Sequence, residues 1–498
     1  MQGFHVEHFG CRAARADGEA VSNRLRAAGL AELEPSAADV VIVNTCSVTA
    51  EADRAARAFI RRAHRLNPEA RIVVTGCYAQ RAPEELANLA GVSAVVGNSH
   101  KALAPEIALG LARNTSNLPV QPAAGLIQIH GAQALRINEP NGAQAPSAPP
   151  QVAPPQVAPP QVVVWVDDRF AHSFLEEAQL APGMQTRPNL KIQEGCGNRC
   201  TFCVIPQTRG ASRSLPASAI LRQVQGFVEA CGNELVFSGI NLGRWGRDLP
   251  GGESLVGLVR SIFQQTALPR LRLSSIEPMD WTPDLIALMA EFAGSRLARH
   301  AHLPLQSGSD SVLRRMHRRY RPWHYAEKVH ALLAAAGPNL TLGADVMAGF
   351  PGETDREFEE SLDLIRALPF GYLHLFPFSP RPGTRGWALH AESPVPPAVV
   401  DQRMAALRAL AAEKSASHRR AFIGRELEAI TLHTPPAQQA RGLTYALTEN
   451  FLPVDITGSL PANQLLRITV TGLNAEGALA AAPAAAEQAQ YAATAMSV

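Results

Sequence analysis

The chain has 498 residues, 46 Lys+Arg against 44 Asp+Glu, and a 46% share of hydrophobic residues. At roughly 150 residues per domain this length suggests about three domains, the apolar share excludes a disordered or fibrous protein, and a formal net charge of +2 leaves any nucleic-acid contact to local patches. No apolar run reaches the ~18 residues of a membrane helix, no signal-peptide pattern opens the sequence, and 7 cysteines, an odd number, argue against a disulfide framework, so we expect a cytoplasmic protein without membrane association.

The first region, 1–124, reads as a repeated strand–loop–helix unit. Candidate strands at 4–9, 40–43 and 72–74 end at Gly10-Cys11, at Asn44-Thr45-Cys46 and at Thr75-Gly76-Cys77. Helical patterns follow at 17–29, 50–66 and 83–90, the last with Pro83 in a first-turn position. Continuous apolar strands alternating with helices predict a doubly wound parallel sheet. Ligands of such sheets sit beyond the carboxyl ends of the strands, and all three cysteines fall there.

From 125 to 186 the pattern dissolves, and residues 148–162 hold three copies of Ala-Pro-Pro-Gln-Val, which predicts a polyproline II spacer without a core. The region 187–421 carries candidate strands at 189–194, 234–238, 270–275, 301–305, 341–347 and 372–376, most of them separated by helical patterns. Six strands at this spacing predict a partial (β/α) barrel with its site at the carboxyl-terminal mouth. Short strands at 427–433, 443–455 and 465–471 predict a small β-barrel over 422–475, and the Ala-rich 476–498 reads as a frayed tail. The fold class is α/β with a small β-barrel appended.

Within the central region Cys196, Cys200 and Cys203 stand in a C-x3-C-x2-C spacing. Three thiolates in one loop can hold three irons of a four-iron cluster and leave the fourth open. The competing reading is a zinc knuckle, which normally recruits a fourth Cys or His nearby, and none follows within twenty residues. Cys231 has no partner in the sequence and reads as a packing residue or a spare thiol.

A C-x3-C-x2-C loop at the end of a first barrel strand resembles the radical S-adenosylmethionine (SAM) enzymes. The surrounding Lys191 to Gly195, Val204-Ile205-Pro206, Arg209-Gly210, Ser274 to Pro278, His302 to Ser309, and Asp345 to Thr354 resemble the methylthiotransferase family more specifically. Within that family, the segments around Cys46 and Cys77 look most like the branch acting on threonylcarbamoyladenosine in tRNA, although Ala14 stands where the family usually has Asn. The resemblance implies two [4Fe-4S] clusters, one on Cys11, Cys46 and Cys77 and one on Cys196, Cys200 and Cys203, with SAM on the second. It implies SAM contacts from Ser238, Gly239, Gln306, Ser307, Gly349 and Gly352, for which ordinary turn chemistry is the competing reading.

The implied reaction is transfer of a methylthio group to carbon 2 of N6-threonylcarbamoyladenosine beside the anticodon, at position 37. Isopentenyladenosine in tRNA and a ribosomal-protein aspartate are alternative targets, and a non-catalytic Fe–S or zinc RNA-binding module is the alternative of another class. The expected partners are the tRNA anticodon loop and an electron donor of unspecified identity, with the chain acting as a monomer. Two basic stretches agree with RNA: 54–71, and 314–328, where Arg314, Arg315, Arg318, Arg319 and Arg321 interleave with Tyr320, Trp323 and Tyr325.

Overall fold

In the computed structural model, which describes residues 2–113, 162–170 and 186–485, the fully buried Val/Ile runs form the centre of a parallel sheet. This first unit comprises Met1–Glu176 together with Gln207–Arg209. Its elements are β1 (Gly3–His8), α1 (Arg12–Ala27), β2 (Ala31–Glu32), β3 (Val40–Thr45), α2 (Ala50–Leu66), β4 (Arg71–Gly76), α3 (Cys77–Arg81), α4 (Pro83–Ala87), β5 (Val92–Gly97), α5 (Ala104–Ala112) and β6 (Val163–Trp165). The order is β2-β1-β3-β4-β5-β6 with every pairing parallel. Val41, Val43, Ile72, Val74 and Val95 pack on Ala56, Ile60 and Ala63 of α2, so the core follows from β-branched strands under a helix with small inward residues.

Three local expectations change here. The helix expected over 83–90 ends at Ala87, and a further short helix, Cys77–Arg81, precedes it; Ala82, before Pro83, separates the two at a φ of −140°, outside the helical region. Helix α1 starts directly after Cys11 rather than at 17, since Arg12 to Arg15 are good helix formers once the strand has ended. The expected linker 125–186 is not linker throughout: Val163–Trp165 pairs with β5 as a sixth strand and buries Val164 and Trp165. The proline repeat lies outside the described residues, apart from Val162.

The second unit, Glu177–Pro206 and Gly210–Val498, carries the barrel strands β7 (Asn189–Glu194), β9 (Glu234–Gly239), β10 (Arg270–Leu273), β11 (His300–His302), β12 (Thr341–Ala348) and β13 (Phe370–Pro377), with β8 (Arg213–Ser214) antiparallel at the β7 edge. Two parallel sheets, β7-β9-β10 and β11-β12-β13, are joined where Ala298 N donates to Leu271 O (3.0 Å) and Ile276 N to His302 O (3.0 Å). The six strands are those expected from the sequence. Strand β11 stops at His302, short of the expected 305, although Leu303 N and Leu305 N still donate to β12; Pro304 has no N–H to give the ladder. A short helix, α6 (Ile205–Arg209), follows the cysteine loop, and α7 (Ala217–Glu229), α8 (Leu255–Gln265), α9 (Pro283–Phe292), α10 (Asp310–Arg315), α11 (Pro322–Ala336), α12 (Asp355–Ala367), α13 (Arg385–Glu392) and α14 (Pro397–Arg420) complete the layer. Among the described residues no helix is long and apolar enough to cross a membrane.

The C-terminal strands close a barrel in the order β14-β15-β16-β18-β17. They are β14 (Glu426–Thr431), β15 (Leu443–Thr448), β16 (Pro453–Thr457), β17 (Leu465–Leu473) and β18 (Leu479–Pro483), with α15 (Pro436–Gln439) between the first two. The single strand expected over 443–455 is two, because Phe451 turns the chain at a φ of +70° and the Thr448 hydroxyl accepts from Leu452 N at 2.8 Å. The start of the expected frayed tail is the closing strand β18, whose Leu479 and Ala481 point into the barrel core. Alanine is a poor marker of strand alternation, which is why composition concealed it.

The turn between β15 and β16 seals the amino-terminal end of the large barrel. Glu234 is fully buried and accepts from Arg187 (2.7 Å), Arg272 (2.8 Å) and Arg270 (3.2 Å). Arg270 also pairs with Glu428, Arg272 donates to Thr448 O (3.3 Å), and Arg299 pairs with Glu449 (2.7 Å). The Phe451 ring lies against Arg187, Arg272, His300 and Tyr372. Burial alone would raise the Glu234 carboxyl, but the three guanidinium groups outweigh it and hold it well below the usual carboxylate range.

Replacing Glu234 with Ala leaves three cations facing one another without their anion, and we expect a loss of about 3–5 kcal/mol in denaturant unfolding of this unit. Because its folded-state pKa is depressed, the wild-type contribution is present above the unfolded carboxylate range and is lost as pH falls below it. The variant's unfolding midpoint is therefore expected to depend less on pH in the acid range than that of the wild type.

Candidate functional site

Strands β1, β3 and β4 are adjacent in the sheet, so the residues just beyond their carboxyl ends are neighbours. Those residues are Cys11, Cys46 and Cys77. Cys11 occupies the position before α1, and Cys77 begins α3; Cys46 and Cys77 are buried and Cys11 is exposed. Gly10, at a φ of +114°, permits the approach: a Cβ there would fall 2.3 Å from the Cβ of Cys46. Burial pushes the Cys46 thiol up to about 12, with Cys11 and Cys77 adding to the shift and the Arg209 charge opposing it.

Hydrogen-bond donors gather on the same sulfurs. Arg209 Nε donates to Cys77 Sγ at 3.1 Å, Asn98 Nδ2 to Cys77 Sγ at 3.3 Å, and Val48 N to Cys46 Sγ at 3.5 Å. Arg209 also pairs with Asp17 (3.3 Å), which Lys101 holds at 2.9 Å. Asn98 is fixed by donating to Thr208 O (2.9 Å). A buried guanidinium and an amide aimed at sulfur suit thiolates that carry negative charge once a metal displaces their protons.

In the second unit, Cys196, Cys200 and Cys203 lie on the loop after β7. Asn198 N donates to Cys196 Sγ (3.4 Å), Asn241 Nδ2 approaches the same sulfur (3.8 Å), and Arg318 Nη1 donates to Cys200 Sγ (3.2 Å). Burial pushes the Cys203 thiol up to about 12 and raises Cys196 as well. Arg318 is itself buried and pairs with Glu277 and the Tyr320 hydroxyl. The thiols of each triad thus sit close enough to perturb one another.

Neither triad is drawn together as a single zinc would require. Thiolates on one tetrahedral zinc stand about 3.8 Å apart. Among the described residues, the one trio of candidate ligand atoms all within 4.8 Å of one another is elsewhere, at His302, Asp345 and His374. The wider spacing of the cysteines fits a multi-iron cluster. At the mouth above β9 and β10, Ser238 Oγ, Asn241 Oδ1 and Ser274 Oγ are buried without a hydrogen-bond partner among the described residues. These orphaned polar atoms beside the cysteine loop fit a polar ligand there.

The six residues expected to contact SAM separate into two groups. Ser238 and Gly239 end β9 beside Gln193, whose side-chain oxygen Oε1 accepts from Asn241 N (2.7 Å), and Gln306 follows β11 at a φ of +65°. Ser307, Gly349 and Gly352 are engaged in packing and turns. The Ser307 hydroxyl bonds that of Ser361 (3.0 Å), Gly349 N donates to Glu353 (2.7 Å), and Gly352 N donates to Ser393 O (2.9 Å). Sequence reading missed Asn98, Asn241, Ser274, Glu277 and the sulfur contacts of Arg209 and Arg318; most stand within a few residues of a strand end, the one signal available. Cys231 is exposed in a left-handed helix terminus and is not a packing residue.

The basic stretches need correction residue by residue. In 314–328, Arg318 serves Cys200 and Glu277, Arg315 pairs with Glu357 (2.8 Å), and Arg314 and Arg321 pair with Asp310. Tyr320 and Tyr325 are fully buried and unavailable to bases, which leaves Trp323 exposed. Arg199 and Arg319 are exposed, without a carboxylate partner among the described residues, and both line an open basin of about 440 Å³ beside the cysteine loop, with Asn198, Arg244 and His317. In 54–71, Arg54 pairs with Glu51 and Arg57 with Glu85, while Arg61, Arg62, Arg65 and Arg71 stay exposed.

Residues 3–97 match the model of "Uncharacterized protein family UPF0004", and residues 190–365 match that of the "Radical SAM superfamily". The threonylcarbamoyladenosine tRNA methylthiotransferase MtaB of Bacillus subtilis (strain 168) is 32% identical over 457 residues, 92% of this chain and 90% of its own length. The protein of the same name from Aquifex aeolicus is 30% identical over 93% of this chain and 99% of its own. The tRNA-2-methylthio-N(6)-dimethylallyladenosine synthase of Cereibacter sphaeroides is 32% identical over 85% of each chain. Among solved structures, the radical S-adenosylmethionine methyltransferase TsrM of Kitasatospora setae shares the fold, with a TM-score of 0.50 and 14% identity over 75% of this chain and 72% of its own.

Arg209→Leu removes the buried cation at Cys77 without orphaning Asp17, which keeps Lys101. We expect the variant to keep its helix content by circular dichroism but to retain less iron than the wild type after anaerobic reconstitution. Equal iron retention would show that Arg209 is only a packing element.

Proposed function

Because the chain belongs to the radical SAM tRNA methylthiotransferase family, we propose that it adds a methylthio group to carbon 2 of N6-threonylcarbamoyladenosine at position 37, beside the tRNA anticodon. Cys196, Cys200 and Cys203 hold one [4Fe-4S] cluster, and Cys11, Cys46 and Cys77 hold a second. When bound, these clusters and SAM supply one-electron cleavage of a carbon–sulfur bond, hydrogen removal from an unactivated carbon, and sulfur for insertion.

The chain's own residues do the remaining work. Arg318 and the Asn198 amide offset charge on the loop thiolates, and Arg209 and Asn98 do the same at Cys77. Ser238, Asn241 and Ser274 present the buried polar atoms that orient SAM, and Gly239 and Gln306 complete that rim. Ser307, Gly349 and Gly352 support it from behind by fixing the loops against α12 and α13. An electron donor must supply the reducing equivalent.

The choice of substrate rests on one observation, the cationic lining of the basin beside the cysteine loop. The threonylcarbamoyl group ends in a carboxylate, whereas an isopentenyl group is wholly apolar and would find no apolar wall there. Arg199 and Arg319, with Arg244 beside them paired to Asp280, favour the anionic group and the phosphates of the surrounding loop.

The two triads divide the labour, so their variants are expected to differ. Cys200→Ala should abolish formation of 5′-deoxyadenosine from SAM. Cys46→Ala should leave that cleavage in place and lose the methylthio product. Loss of SAM cleavage in a Cys46→Ala protein that keeps four irons would contradict the assignment.

Reversing Arg199 and Arg319 together to Glu should weaken tRNA binding and reduce its salt dependence by about one to two counterions, with iron content unchanged. Unaltered tRNA affinity would remove the basin from the RNA surface.

A further inference from the structure

On β11, β12 and β13 one face looks into the barrel, and the opposite face, with Leu342, Ala344, Val346 and Ala348, is buried. The inward face carries His302, Asp345 and His374 on three adjacent strands, with Asp345 paired to His374 two residues beyond the Gly343 that pairs with both His302 and Tyr372. These three residues belong neither to the cysteine triads nor to the rim at β9 and β10. We propose that His302 Nε2, Asp345 Oδ1 and His374 Nδ1 form a binding site for one borderline divalent ion of the zinc class.

Two imidazole nitrogens converge on one carboxylate oxygen. His302 Nε2 lies 3.4 Å and His374 Nδ1 3.2 Å from the same oxygen, Asp345 Oδ1. His374 is within hydrogen-bond distance, whereas the 3.4 Å of His302 is long for a charge-assisted N–H···O bond, which runs at about 2.7–2.9 Å. Ligands about 2.0–2.1 Å from one tetrahedral ion stand roughly 3.3–3.4 Å apart, close to the two nitrogen–oxygen separations, and all three ligand atoms lie within 4.8 Å of one another. His302 is only 6% exposed, and its Nε2 has no hydrogen-bond partner among the described residues. A buried imidazole nitrogen without a hydrogen-bond partner suits a metal-ligand position.

The surroundings hold the ligands in place. Tyr372 stacks on His302 with centroids 5.8 Å apart and packs on His374 at 5.2 Å, and its hydroxyl is held by His300 Nε2 at 2.7 Å. That ring lies where a side chain on residue 343 would be: a Cβ at Gly343 would fall 2.1 Å from it. Leu305 N (3.1 Å) and Gln306 N (2.7 Å) both donate to Asp345 O, which anchors the carboxylate's backbone. Two imidazoles and one carboxylate select zinc or ferrous iron over magnesium. The His374 side chain is 49% exposed, so a fourth position opens toward the lumen, as in sites that exchange ligands. The site stands whichever adenosine is modified.

The test uses the full chain with both clusters assembled, so that the cysteines are occupied. The protein is equilibrated with buffered free zinc, separated from it, and its zinc and iron are counted together. We expect one zinc per chain above the full iron complement, with nitrogen and oxygen but no sulfur neighbours in its X-ray absorption spectrum. His374→Gln, at the exposed ring, and His302→Gln should each weaken zinc binding by at least the ~10–100-fold that losing an outer-shell partner costs, with iron unchanged. No retained zinc in the wild type, sulfur in the zinc shell, or equal zinc in both variants would overturn the proposal.

Discussion

Burying thiols at a sheet edge is unfavourable for their ionised form, and both cysteine sites depend on how that cost is met. Desolvation pushes Cys46 and Cys203 up to about 12, so these two thiols hold their protons until a metal replaces them. Thiolate is the form that ligates metal. The donors around the sulfurs are the counterpart: Arg209 and Asn98 at Cys77, Arg318 at Cys200, and the backbone amides of Val48 and Asn198. Metal uptake therefore releases protons and engages prepositioned charge, which couples cofactor loading to the local order of each site.

Both sites obey one topological rule. Parallel strands end with their carbonyls pointing outward and their next residues free to turn, and this edge is where α/β proteins place chemistry. In the first unit the order β1-β3-β4 makes three consecutive strand ends neighbours, so one cysteine per repeat suffices. In the large barrel the same edge carries the loop cysteines, Ser238, Asn241 and Ser274. The opposite end is closed by Glu234, its three arginines and Phe451, so stability and chemistry are assigned to different ends of one set of strands.

The sequence made these ends legible because cysteines after Val/Ile runs need no tertiary information to place. The six barrel strands were readable for the same reason. What escaped it was set by contacts distant in the chain. Val163–Trp165 reads as linker until β5 offers an open edge, and Leu479–Pro483 reads as an alanine tail until the barrel needs a closing strand. Arg318 looked like a phosphate ligand among five other basic residues, yet Glu277, forty-one positions away, pairs with it beneath Cys200. Tyr320 and Tyr325 alternate with arginines in a pattern suited to gripping RNA, but both are buried, Tyr320 in the loop before α11 and Tyr325 on that helix. Gly349 and Gly352 stand at φ of +78° and +70°, a conformation that favours glycine with or without a ligand beside it.

The central claim is that the two cysteine sites act together on a threonylcarbamoylated adenosine. It is tested most directly by nucleoside mass spectrometry of tRNA from cells that make N6-threonylcarbamoyladenosine, lack their own methylthiolating enzyme for it, and express this chain. The account predicts a new nucleoside heavier than N6-threonylcarbamoyladenosine by one CH2S. Methylthiolation of isopentenyladenosine alone, with the threonylcarbamoyl nucleoside unchanged, would contradict it.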